Sequence, residues 1–146
     1  MNEQLDLEKL WMDTFKPYMD DYCKADRDYK KLDKKTQLIG SLAMMELDMF
    51  NGGFIQFFCN WGYDAYLFAV EGLEMIGALE AKKILTGAYA IISKDEYINN
   101  PDIKAYWDIP SILSEEDTNA IWNVLDHKYW EKNDDVLTKM LNYFKD

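Results

Sequence analysis

At 146 residues, 49% hydrophobic and 15% aromatic, the chain is long enough to fold as one domain around a sizeable core, and its composition excludes disorder for the bulk of it. Its formal charge of -11, from 27 acidic against 16 basic residues, works against direct nucleic-acid binding, because phosphates are repelled over most of the surface. No run of about 18 consecutive apolar residues is present, so no transmembrane helix is expected.

The predicted elements are all helical. Leu7, Trp11, Tyr18 and Tyr22 recur at turn-related spacing and predict a first helix over residues 5–24, kinked or broken near Lys16 by Pro17. A charged connector follows to residue 35, with helix continuing through it as one option. Leu38, Leu42, Met45 and Met49 form one apolar stripe and predict a second helix. Asn51-Gly52-Gly53 stops it, since glycine permits the left-handed backbone of a helix end. Residues 54–59 are short and rich in rings, which predicts a buried turn or short helix.

Asp64 is the expected N-cap of the next helix, whose apolar face comprises Ala65, Phe68, Ala69, Gly72, Leu73 and Ile76. Small residues at 65, 69 and 72 allow close helix approach. A further helix covers residues 79–92, with Ala81, Leu85, Ala88 and Ile92 inward. Residues 93–113 hold two prolines and several Asn and Asp residues and read as irregular. Ser114-Glu115-Glu116-Asp117 resembles a capping box opening a helix through Trp122, Leu125 and Tyr129. Asn133 or Asp134 caps the last helix, with Val136, Leu137, Met140, Leu141 and Phe144 as its stripe. The expected fold is all-α, a single compact bundle of six or seven helices over residues 1–146.

The acidic N-terminus lacks the basic start and apolar run of a secretory signal, so a cytoplasmic location is expected. Cys23 and Cys59 form no C-x-x-C pair and no zinc spacing, and read as free, largely buried thiols. His127 is the one histidine and lacks a local nucleophile partner. Glu71 and Glu74 share a helical face without imidazole partners, and no Glu-x-x-His motif exists for a di-metal centre. No phosphate-binding glycine loop is present. Neither a cofactor nor a metal is expected, and no catalytic residue stands out.

Charge is unevenly distributed. Residues 36–81 carry 6 acids and no base, and residues 95–127 carry 8 acids and one lysine. Residues 1–35 are near neutral, with 9 acids and 8 bases. Two segments thus hold more than the whole net charge, and folded together they make a strong negative face.

The stretch from Asn51 to Gly62 stands apart, with three glycines, two asparagines and a glutamine among four aromatic rings. Gln56 and Asn60 lie four apart, on one helical face. They suit either a ligand amide or backbone groups freed at the glycine corner. Asn51-Gly52-Gly53-Phe54, followed by Gln56, Phe57 and Asn60, resembles the core motif of the bacterial DNA-mimic protein family, formerly a domain of unknown function. The segment Gly72-Leu73-Glu74-Met75-Ile76-Gly77-Ala78 and the closing Leu141-Asn142-Tyr143 are similar to its flanks, so the resemblance covers about residues 36–146.

The resemblance implies a compact helical domain, often a homodimer, with the motif residues at its structural centre. For some members it implies an acidic surface that imitates the DNA phosphate backbone and occupies the DNA-binding face of a basic protein. Glu46, Asp48, Glu71, Glu74, Asp108, Glu115, Glu116 and Asp117 are the candidate face. The alternatives are a toxin-neutralising immunity-type protein, or a small-ligand or enzymatic domain using the glycine motif.

Overall fold

The computed structural model describes residues 2–132 and 134–145. Among them every regular element is helical. Helix α1 spans Asn2–Lys24, α2 Lys34–Met49, α3 Phe54–Ile76 and α4 Leu79–Ile92. Short helices α5 (Asp95–Ile98) and α6 (Ile109–Ile112) lie in the region expected to be irregular. Helix α7 (Glu115–Asn119) runs through a π-helical turn, Ala120–Leu125, into α8 (Asp126–Lys132), and α9 (Val136–Phe144) closes the fold.

Helix α2 is the axis. Its expected stripe is buried, but so are Ile39, Gly40, Ser41, Ala43, Met44 and Glu46. A helix buried around most of its circumference needs neighbours on several sides. It packs chiefly on α3 and α1, with α8 and α9 completing the surround. Two glycines set these approaches. A Cβ at Gly40 would collide with the Tyr22 ring of α1, and one at Gly72 would stand 2.7 Å from Leu42 Cδ1. The small residues of α3 thus serve close packing, as their spacing suggests.

Helix α1 continues through Pro17 without the predicted break. Pro17 is exposed, so its missing N–H falls on the solvent side. Trp11, Phe15, Met19 and Tyr22 bury the opposite face and hold the helix together across it. The connector does not continue α1. Asp26 and Arg27 adopt positive φ, and a 3-10 turn follows at Tyr29–Lys31.

Helix α3 is broken at Gly62, where φ is 88° and ψ is -171°. The break comes two residues before Asp64, so Asp64 sits inside the next turn and is not its cap. The connector satisfies the carbonyls the break releases. Arg27 Nη2 donates to the Cys59 carbonyl at 3.2 Å, and Tyr29 Oη donates to the Trp61 carbonyl at 2.7 Å.

The cap expected for α9 differs. Asn133 lies outside the described residues, and Asp135, at φ 53°, precedes α9 without a side-chain cap. Asp134 instead accepts from the Ala81 N–H at 2.9 Å, and so caps α4 across the fold. Ser114 does cap α7, accepting from the Asp117 N–H at 3.0 Å. The reciprocal half of the box is absent, because Asp117 turns to other donors. Cys59 is buried as expected, but Cys23 is exposed.

Candidate functional site

The glycine corner is organised by Asp48, the penultimate residue of α2. Its backbone carbonyl accepts from three successive N–H groups, Asn51 at 3.0 Å, Gly52 at 2.9 Å and Gly53 at 2.8 Å. Its carboxylate accepts from Gln56 Nε2 at 2.8 Å, Trp61 Nε1 at 3.0 Å and Asn60 Nδ2 at 3.2 Å. Asn51 Nδ2 completes the chain by donating to Gln56 Oε1 at 3.4 Å. The two amides are therefore spent on a carboxylate and not on freed backbone. Phe54 and Phe57 anchor the corner from inside, both fully buried.

Gly53 starts α3 with φ 86° and ψ -167°. That conformation is essentially restricted to glycine. A Cβ there would also meet the Asp126 carboxylate. Asp126 is buried and accepts from the Phe54 N–H at 3.1 Å, so a second carboxylate sits at the positive end of α3. The π turn positions it. Bonding from i to i+5 widens one turn and puts Ile121 and Asp126 inside, leaving Trp122 exposed. Burial pushes Asp126 up from 3.8 to about 6, partly offset by the Phe54 N–H.

The eight candidate acids do not form one face. Glu46 is buried at 4% exposure and accepts from the Tyr129 hydroxyl. Burial pushes it from 4.5 up to about 7. It lies off the outer surface, because it follows Leu38 and Leu42 on the buried row of α2. Asp48 is half-buried and held by its three donors. Asp108 turns back on its own loop and accepts from the Lys104 and Ala105 N–H groups at 2.8 and 3.0 Å, which lowers its pKa.

Asp117 is also buried. Lys94 Nζ stands 2.8 Å away and the Tyr97 hydroxyl donates to it, and these two, Lys94 first, lower its pKa. Glu71 and Glu74 are exposed but paired with Lys34 at 2.6 Å and Lys82 at 3.1 Å. The acid-rich segments thus borrow lysines from the segments flanking them. Glu115 and Glu116 are exposed and in no ion pair among the described residues.

The Lys94–Asp117 pair has a second effect. Together with Tyr97, whose hydroxyl also bonds Ser114 at 3.1 Å, it clamps α5 onto the start of α7. Asp95 and Glu96 adjoin Lys94 and Tyr97, Glu115 and Glu116 precede Asp117, and all four acids are exposed. Sequence reading named Glu115 and Glu116 but not Asp95 and Glu96, because the clamp joins residues far apart in the chain. It missed Asp126 for the same reason.

His127 is exposed, with Nδ1 2.9 Å from the Trp122 carbonyl. Trp61 is half-buried on Asp48, whereas Trp107 is exposed. Among the described residues, no group of three or more His, Cys, Asp or Glu side chains is placed to hold a metal ion. No described helix is long and apolar enough to cross a membrane.

No curated protein and no solved structure matches the chain. A family model does match, over residues 30–146, and its description is DMP19-like protein, where DMP19 denotes DNA mimic protein 19. That span begins a little before the resemblance in the sequence and takes in α2 to α9 with the whole Asp48 corner. The chain belongs to the DMP19-like family.

Proposed function

We propose that this protein is a non-enzymatic binding module whose acidic surface occupies the nucleic-acid-binding face of a basic protein. The observation that supports this reading is the clamp from Lys94 and Tyr97 to Asp117 and Ser114, on either side of which Asp95, Glu96, Glu115 and Glu116 are exposed. Family membership supports it. A protein that grips DNA spaces its lysines and arginines for phosphates roughly 3.4 Å apart along one strand. Carboxylates on two helices tied together by side-chain bonds offer such a partner negative points. The net charge of -11 adds long-range attraction.

Glu71 and Glu74 contribute when Lys34 and Lys82 swing away, since exposed ion pairs are worth only about 0–1 kcal/mol. Asp48 and the motif amides support the fold behind the face. Glu46 and Asp117 take no direct part.

The test begins with host proteins captured on the chain and eluted with graded salt. Exposed charges are screened beyond about 8 Å at physiological ionic strength, so genuine partners should elute early. Nucleic acid should displace them. Reversing Asp95, Glu96, Glu115 and Glu116 to lysine should abolish capture without unfolding the chain, as surface changes seldom cost much stability. Partners that stay bound at high salt, or that hold nucleic acid simultaneously, would overturn the proposal.

A further inference from the structure

A cleft of about 310 Å³ opens between α1, the end of α2 and α9. Its volume is at the lower end of small-molecule sites, which run from about 300 Å³. Trp11, Met12, Leu47 and Phe50 make its apolar walls. Glu46 lies at its floor and Glu8 at its rim, and no lysine or arginine lines it. Helix α1, which supplies Glu8, Trp11 and Met12, precedes the residues matched by the family.

The polar groups of the cleft are one-sided. Glu46 is 4% exposed, and among the described residues only Tyr129 donates to it, at Oε2. Oε2 is thus the oxygen that Tyr129 occupies, and Glu46 is among the residues that line the cleft. Trp11 does not supply a donor, because its Nε1 is spent on Met140 Sδ at 3.3 Å. The Gln4 amide nitrogen gives one of its two N–H groups to Glu8 Oε1 at 3.2 Å, on the exposed rim. The carboxylates of Glu46 and Glu8 thus dominate the polar groups of an otherwise apolar cleft.

An ammonium group has three donors and no acceptor. A carboxylate would face Glu46 and Glu8 with no lysine or arginine in the lining to offset them. A buried carboxylate is costly when it stands alone and much less so beside an opposite charge with hydrogen bonds. We infer that this cleft binds a small organic cation, a primary ammonium on an apolar or aromatic body, with its head on Glu46 Oε1 and its body against Trp11 and Phe50. The inference is independent of the acidic cluster on α5 and α7, none of whose residues lines the cleft.

The test is titration of the full chain at about pH 8, where Glu46 is ionised and a primary ammonium keeps its charge, with phenethylammonium, phenethyl alcohol and phenylacetate. Binding is read from the nuclear magnetic resonance shift of the Trp11 indole N–H. The ammonium should saturate, the alcohol should bind at least about tenfold more weakly, and the carboxylate weakest of all. Glu46→Gln keeps an acceptor for Tyr129 and removes the charge, and should lower ammonium affinity about tenfold while leaving the alcohol unchanged. Leu47→Trp should fill the mouth and weaken both. Should Glu46→Gln fail to fold, the unmodified chain still decides through its preference for ammonium over alcohol. Equal binding of ammonium and alcohol, no saturation up to about 10 mM, or a Glu46→Gln protein that binds the cation unchanged would overturn the assignment.

Discussion

Asp48 shows how one side chain organises a motif. Its three side-chain donors come from residues 8, 12 and 13 positions later, so it ties the end of α2 to the first turns of α3. Hydrogen bonds to a charged group are worth about 1.5–3 kcal/mol each, and they are not additive. Asp48→Ala should therefore cost about 3 kcal/mol, and Gln56→Ala about 1–2 kcal/mol, measured by urea unfolding. Equal costs would show that the amides stabilise the corner by some route other than Asp48. Gly53→Val combines a strained φ with a collision against Asp126. It should destabilise by more than about 3 kcal/mol, and an unchanged melting temperature would show that the corner can relax around a side chain.

At the scale of elements, what could be read in the sequence was what is local. The α4 boundaries and inward residues follow from apolar periodicity alone, as do the buried positions of α9. Ser114 is recognisable because a cap acts over three residues. The failures are tertiary. Asp134 looked like a cap for α9, since it precedes that stripe, yet its carboxylate lies on Ala81. Gly62 was overshadowed by Asp64, although Gly62 repeats the backbone of Gly53 almost to the degree. The π turn rotates Trp122 outward, and nothing in a regular 3.6-residue pattern anticipates it. Glu46 was legible in part, for it continues the Leu38–Leu42 row and precedes Met49 by three. The Asp134 cap carries a prediction. Asp134→Ala should cost about 1 kcal/mol and raise amide exchange in the first turn of α4 while α9 stays protected. Loss of protection in α9 instead would return the cap to where the sequence placed it.

For the whole molecule, two carboxylates inside the fold couple stability to pH. Glu46 rises from 4.5 to about 7 and Asp126 from 3.8 to about 6, both mainly through burial. Tyr129 pulls Glu46 down and Asp135 pushes it up, while the Phe54 N–H and His127 pull Asp126 down. Because each folded pKa lies above its unfolded value, the native state binds more protons between about pH 4 and pH 7. Stability therefore falls as pH rises across that window. Asp117, Asp108 and Asp33, the last capping α2 through the Thr36 N–H at 2.8 Å, have lowered pKa values and act oppositely. Their contribution is present above about pH 4 and is lost as pH falls below it.

Repulsion among the charges behind the net -11 also grows with pH. The melting temperature should thus peak near pH 5, between these limbs. Glu46 alone is worth at most about 3 kcal/mol across its window, at about 1.36 kcal/mol per pKa unit. Glu46→Gln should flatten the fall between about pH 5 and pH 8 by more than Glu80→Gln, which removes the same charge from an exposed site. Equal flattening by the two variants would assign the pH dependence to net charge and not to the buried carboxylate.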